Sequence, residues 1–211
     1  MEYSIQRFLY EAALLIPAFM VALSVHEFSH AGMAVFLGDN TPKRHGRLSL
    51  NPLVHIDPAG LLFLLFFRVG WAKPVIFDHR NFKYPKLYSV FTAFAGPLSN
   101  FVVAIVAFLL LKFMPYNLMP YYAQATFMQL LQIIAQINVM LGVFNMLPIP
   151  PLDGSHLLTA LLVDKFPKFI FWLQRYSIFI LMFLLIAVPY ARYLLFYAIM
   201  WMYHLLYSLV F

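Results

Sequence analysis

Long apolar runs separated by short polar stretches dominate the sequence. Five of them cover residues 8–37, 88–114, 123–147, 167–188 and 193–210 and contain few charges. Each is close to or above the roughly 20 residues that a helix needs to cross a bilayer. We therefore predict five helices that span a membrane.

Shorter segments between these runs predict other kinds of structure. Residues 60–67 are apolar but too short to span, so we expect a re-entrant segment. The alternation at Leu48–Leu50 and the run Trp71–Phe77 predict two short membrane-associated β strands. The prolines in Pro148–Gly154 are expected to end the preceding helix. A short helix is predicted to follow at Ser155–Val163. The predicted fold class is an all-α polytopic membrane protein with these additions.

Composition supports a single membrane domain. The 211 residues are 64% hydrophobic and 10% charged, which is typical of a polytopic membrane protein. The polar stretches are too short to build a soluble core, so residues 1–211 are expected to form one domain. The sequence has no cysteine, which excludes disulfides and Cys-ligated zinc. The net charge of +6 does not by itself indicate nucleic acid, and we expect none to bind.

The sequence His26-Glu27-Phe28-Ser29-His30 places an H-E-x-x-H pattern near the end of the first apolar run. Two histidines four residues apart on a helix are separated by about 6 Å of rise and about 40° of rotation, so both reach one metal ion. Glu27 lies off that line, where it can touch a metal-bound water as a general base. Three ionisable groups in an apolar helix are costly unless they are functional, so we predict a zinc site rather than packing histidines.

A catalytic zinc needs a third protein ligand, and Asp153 is the leading candidate. It combines an adjacent helix break with flanking apolar sequence. The alternative role for Asp153 is to cap the short helix that begins at Ser155. If residues 60–67 return to the side from which they enter, His30 and Asp153 lie near the same membrane face. If that segment spans, no site forms.

Positive charge predicts the orientation. Residues 38–56 and 69–86 carry net positive charge, and in this layout they lie on one side together with Lys165 and Lys168. The turn at 115–124 is uncharged. The positive-inside rule places the basic side in the cytoplasm. We therefore expect a multi-pass protein of the cell (inner) membrane, with its site near the cytoplasmic face.

Four ordered motifs resemble one known family, the site-2 proteases, which are intramembrane zinc metalloproteases. The resemblance is to the compact bacterial branch of this family and covers about residues 20 to 160. Many relatives also carry a PDZ or CBS domain, for which we expect no room in this chain. The resemblance implies Glu27 as the base and Asn145 as support for the tetrahedral intermediate or the attacking water. It also implies one zinc ion per chain, held by His26, His30 and Asp153. The motifs are His26–His30, Asn51–Pro58, Gly96–Asn100 and Asn145–Gly154.

Other residues are candidates for contact with substrate, namely Asn100, His55 and Leu48–Leu50. For Asn100 and Asn145 the alternative is an interhelical hydrogen bond, and for His55 it is fixing its own loop. An exposed edge at Leu48–Leu50 or at Trp71–Phe77 would accept an unwound substrate as an added strand.

The expected function is that of an endopeptidase that cuts within or next to transmembrane helices of membrane-protein substrates in the lipid bilayer. A divalent-metal transporter is one alternative, but the last two apolar runs lack the polar path that it needs. An inactive relative that binds membrane helices is another, and the intact Glu27 argues against it. A homo-oligomer is compatible with the sequence.

Overall fold

The computed structural model describes residues 2–67 and 70–211, so Arg68 and Val69, the latter being the first residue of the predicted basic loop 69–86, lie outside the described residues. Loops and three short 3-10 helices, at Pro52–Val54, His79–Asn81 and Tyr116–Leu118, join the α-helices. In chain order the α-helices are α1 (Glu2–Phe36), α2 (Thr41–Arg44), α3 (Pro58–Phe67), α4 (Pro85–Phe113), α5 (Tyr121–Asn145), α6 (Ser155–Leu162), α7 (Pro167–Ala187) and α8 (Pro189–Val210).

Among the described residues, five helices, α1, α4, α5, α7 and α8, are long and apolar enough to cross a membrane. This confirms the predicted number, and the observed ends differ from the predicted ones by a few residues. Helix α1 begins earlier than predicted because its first turns carry polar residues, which form helix without extending the apolar pattern. Helix α8 begins at Pro189, since proline is well suited to the first turn of a helix.

The predicted β strand at Leu48–Leu50 is wrong. The Ser49 N–H donates to the carbonyl of Arg47, and the Ser49 carbonyl accepts a 2.7 Å hydrogen bond from Nε2 of His55. Local contacts therefore occupy the backbone groups that a strand would offer to a neighbour.

The predicted strand at Trp71–Phe77 is also wrong. In the described residues it is reduced to one isolated antiparallel bridge between Ala72 and Ile56, extended by a 2.7 Å hydrogen bond from Lys73 N–H to the His55 carbonyl. Pairing stops there because Pro74 has no N–H to donate.

The segment at 60–67 belongs to α3, a helix of ten residues, and its predicted re-entrant path is not supported. The helix is about 15 Å long, half of the hydrocarbon thickness. Its buried Leu64 packs with Ala18 and Phe19 of α1 and with Ile137 of α5. Helix α3 is therefore a short element packed against α1 and α5.

Helix α4 positions the functional residues because it packs against both α1 and α5. The contacts between these helices are built from small buried residues, among them Ala18 and Ala22 of α1 and Gly96 and Ala104 of α4. Small side chains let helix backbones approach closely, so polar groups on one helix reach partners on the next.

Asp39 connects the end of α1 to the loop that precedes α4. Its buried carboxylate accepts hydrogen bonds from the N–H and the hydroxyl of Thr41, at 3.0 and 2.6 Å. The N–H of Asp78 and the side-chain amide of Asn81 donate to the same carboxylate, each at 2.7 Å. These contacts hold the loop that carries Val75 close to α1.

Candidate metal centre and active site

The side chains of His26, His30 and Asp153 meet at one point of the fold. The two Nε2 atoms are 3.0 Å apart, and Oδ2 of Asp153 lies 3.2 Å from that of His26 and 3.4 Å from that of His30. A tetrahedral zinc with N and O ligands at 2.0 to 2.2 Å separates those ligands by roughly 3.3 Å. The three atoms therefore have the spacing of three corners of a zinc tetrahedron.

Hydrogen bonds fix both imidazole rings with Nε2 towards this point. Nδ1 of His26 donates to Oδ1 of Asn100, and Nδ1 of His30 donates to the carbonyl of Thr92, both at 2.7 Å. A carbonyl oxygen only accepts, so each neutral ring has its proton on Nδ1 and a lone pair on Nε2.

These lone pairs make the cluster a receptor for a cation. Oδ2 of Asp153 is buried, and no donor in the described part of the chain hydrogen-bonds to it. Three electron-rich atoms within 3.4 Å of one another repel unless a positive charge lies between them. The residues present therefore fit a zinc ion.

Two buried amides support the ring of His26. Nδ2 of Asn100 donates to the Ala22 carbonyl at 3.1 Å and to Oδ1 of Asn138 at 2.8 Å, while Nδ2 of Asn138 donates to the Ile134 carbonyl at 2.8 Å. Both amides are fully buried. The structure thus places Asn100 in an interhelical hydrogen bond, which is the alternative that the sequence left open. Its side chain contacts His26 and is not among the residues that line the cavity beside the metal centre.

Gly96 of α4 leaves the space that the two rings fill. A Cβ atom at this position would lie 2.4 Å from Nε2 of His30 and 2.7 Å from Cε1 of His26. Both distances are shorter than van der Waals contact allows, so the imidazoles occupy space that only glycine leaves open.

The loop between α5 and α6 brings Asp153 back to α1. The Gly154 N–H donates to the Asn145 carbonyl at 2.7 Å, and a Cβ at Gly154 would lie 2.2 Å from the carbonyl oxygen of Met146. The residue at the N-cap of α6 is Gly154, so Asp153 is not the cap that the alternative interpretation expected. Its carboxylate is turned towards the histidines instead.

A cleft of about 430 Å³ contains the cluster together with Glu27. Residues of the loop from Gly70 to Phe77 form one of its walls. Glu27 is only 7% exposed, and its Oε2 accepts a 2.9 Å hydrogen bond from the backbone N–H of Val75. The loop therefore orients the carboxylate and leaves its Oε1 for a water molecule.

The remaining predicted residues lie in different places. Asn145 lines the cleft, with Nδ2 donating to the Leu141 carbonyl at 3.1 Å, so its role in catalysis stays a prediction. His55 is fully buried and donates to the carbonyl of Ser49, which fixes its own loop. Neither His55 nor Leu48–Leu50 is among the residues that line the cleft, and their contact with substrate stays a prediction.

Comparison with known proteins decides the family. The profile of "Peptidase family M50" matches residues 116–188. The "Putative zinc metalloprotease YwhC" of Bacillus subtilis (strain 168) is 41% identical to the chain over 161 residues, which are 74% of each protein. The chain belongs to peptidase family M50.

Other relatives of this M50 peptidase match more partially. The "Putative zinc metalloprotease Rip2" of Mycolicibacterium smegmatis is 32% identical over 67% of the chain and 54% of the relative. The "Zinc metalloprotease MJ0392" of Methanocaldococcus jannaschii is 34% identical over 40% of the chain and 23% of the relative. No solved structure matches the chain.

The family confirms the resemblance to site-2 proteases. The family assignment and the five apolar helices together identify this M50 peptidase as a multi-pass membrane metalloprotease that uses zinc.

Sequence reasoning missed three groups of the M50 site, Thr92, Val75 and Asn138. Thr92 and Val75 contribute backbone atoms, which no residue pattern encodes. Asn138 could have been found, because an amide within an apolar helix needs a buried partner.

Proposed function

We propose that this M50 peptidase is an intramembrane endopeptidase, which hydrolyses a peptide bond within or next to a transmembrane helix of a membrane-protein substrate. The observation that carries this proposal is that His26 and His30, on a helix long enough to span, meet Asp153 and share a cleft with Glu27. His30 lies six residues before the end of α1, about 9 Å along the helix. A substrate bond would have to reach that depth.

We assign one zinc ion per chain to His26, His30 and Asp153. When bound, zinc lowers the pKa of a water ligand and polarises the scissile carbonyl. Glu27 accepts the proton of the attacking water on Oε1 and later gives it to the leaving amine. The Val75 N–H holds Oε2, so the carboxylate keeps one orientation through both transfers. Asn145, in the same cleft, is assigned to hold the attacking water or the substrate carbonyl.

The substrate helix would have to unwind at the scissile bond, since an intact helix keeps its carbonyls hydrogen-bonded. Each buried backbone group left unpaired costs roughly 1 to 3 kcal/mol. The cleft wall from Gly70 to Phe77 supports a way to offset this cost. Within the described residues its backbone pairs with another segment only at Ala72 and Lys73, and the Val75 N–H is held by Glu27, so the rest of the wall has backbone groups to offer an added strand. Leu48–Leu50 lies outside the cleft lining, so this step rests on the wall alone.

Two substitutions test the assignments in purified protein, with a single-helix membrane protein as substrate. Wild-type protein is expected to contain one zinc per chain and to cut the substrate. Glu27→Gln should keep its zinc and lose about 10²- to 10⁴-fold in rate, because it removes the base and leaves the ligands. Asp153→Ala should lose zinc. A Glu27→Gln enzyme of near wild-type rate, or full zinc in Asp153→Ala, contradicts the corresponding role.

A further inference from the structure

A second cavity, of about 450 Å³, adjoins the catalytic cleft. It lies between the first turns of α4, helix α6 and Gln174 of α7. Phe77 and His156 line both spaces, and their rings pack with centroids 5.7 Å apart. The cavity and the cleft therefore share a wall that contains these two side chains.

This shared wall is close to the reacting atoms. His156 lies in the first turn of α6, and its backbone N–H donates to the carbonyl of Asp153 at 3.0 Å. A chain held in the cleft beside Asp153 would therefore have a neighbouring side chain within reach of the second cavity.

Some of the polar groups that line the cavity make no hydrogen bond within the described residues. Ser89, Ser155 and Thr159 contribute hydroxyls, and Ser155 is only 7% exposed. Within the described residues, no hydrogen bond occupies these hydroxyls or the ring nitrogens of His156.

Hydroxyls elsewhere in the apolar helices behave differently. Ser24, Ser29 and Ser177 donate to carbonyls of their own helices, at 2.6, 2.7 and 2.9 Å. This is the usual way to satisfy a serine in a helix. The hydroxyls around the second cavity do not use it, which leaves them available to a ligand.

We propose that the second cavity is a subsite for a neutral, hydrogen-bonding side chain of the substrate, such as Ser, Thr, Asn or Gln, close to the scissile bond. The proposal rests on the function proposed above. A polar side chain in hydrocarbon is unfavourable unless it finds a hydrogen-bond partner, and the hydroxyls of the second cavity, which make no hydrogen bond within the described residues, supply one. A neutral group fits better than an acidic one, because the lining cation Lys86 is already paired with Asp164.

The first test compares substrates that carry Leu or Gln at each of three positions on either side of the cut. In the wild type, Gln is expected to raise kcat/KM over Leu at one of these positions. Thr159→Val removes the hydroxyl at nearly constant volume and should reduce that ratio about fivefold. Ala160→Leu, which narrows the cavity, should reduce it too. Thr159→Ser keeps the hydroxyl and should keep the ratio. Unchanged ratios in both Thr159→Val and Ala160→Leu would overturn the subsite.

The second test detects binding without cleavage, in protein carrying Glu27→Gln. A diazirine amino acid in place of Val163, which lines the cavity, should crosslink to the polar residue of the substrate. The same group in place of the exposed Leu161 is the control and should not. Equal crosslinking from both positions overturns the subsite. A specific crosslink combined with a wild-type enzyme that cuts no substrate supports the subsite and rejects the endopeptidase proposal.

Discussion

Oδ1 of Asn138 accepts a 2.8 Å hydrogen bond from Nδ2 of Asn100, and this contact joins α5 to the residue that holds His26. The second hydrogen of the Asn100 amide goes to the Ala22 carbonyl. With both hydrogens used, Oδ1 of Asn100 faces His26 and keeps the ring proton on Nδ1. Asn138 therefore affects the metal centre indirectly, by orienting the Asn100 amide that holds His26.

We expect Asn138→Leu to weaken zinc binding, by less than the loss of about 10- to 100-fold that is usual when a direct partner of a metal ligand is removed. Competition with a chromophoric chelator measures the affinity directly. Gln132→Leu is the matched control, because it removes an amide from the exposed side of the same helix. Equal zinc affinity in the Asn138→Leu and Gln132→Leu variants would show that the amide pair does not position His26.

Gly96→Ala should abolish zinc binding and proteolysis, since the added methyl would lie 2.4 Å from Nε2 of His30. Gly32→Ala on α1 is its control, because the nearest atom to the new methyl, Cδ1 of Leu48, is 3.9 Å away. Metal content after purification separates the two variants. Full zinc occupancy in Gly96→Ala would contradict the close approach of α1 and α4.

Asp39→Asn should destabilise the protein at neutral pH and have a smaller effect in acid. Burial alone would raise the pKa of Asp39, but hydrogen bonds from Thr41, Asn81 and Asp78 outweigh it and hold the pKa below its ordinary range. A lowered pKa gives stability that is present above the unfolded value of about 3.9 and is lost as pH falls through the folded value. The difference in Tm between wild type and variant should therefore shrink as pH falls below about 4. A difference that stays constant from pH 7 to pH 3 would contradict this reasoning.

The loops around Arg47 and Arg80 are predicted to face the cytoplasm, as their positive charge requires. The chain has no cysteine, so exposed positions can be labelled one at a time. Cysteines replacing His45 and Lys83 should react with a membrane-impermeant maleimide only from the cytoplasmic side. A cysteine replacing Asn117, in the uncharged turn, should react only from the other side. Reaction of the first two from opposite sides would overturn the layout.

The spans and the shared helix face of His26 and His30 were predictable because both follow from short-range patterns, whereas the role of these residues and Asp153 as zinc ligands stays a prediction. An apolar run of about 20 residues has few alternatives to a spanning helix, and the spacing of His26 and His30 fixes a shared helix face. Asp153 was a candidate because it combines an adjacent helix break with flanking apolar sequence, and the structure places its carboxylate beside both histidines.

The loops were less predictable, because their structure depends on partners that are distant in sequence. At Leu48–Leu50 the alternation suggests a strand, yet the ring of His55 takes the carbonyl that pairing would need. The support of His26 by Asn138 needs three helices in register, and no single segment encodes that register.

The hydrogen bond that holds Glu27 comes from the backbone of Val75 rather than from a side chain. Every amino acid except proline supplies the same N–H. For this contact, the residue at position 75 can therefore change in evolution without moving the carboxylate of Glu27. The residue at position 96 cannot, because the imidazole rings of His26 and His30 fill the space that a side chain would need.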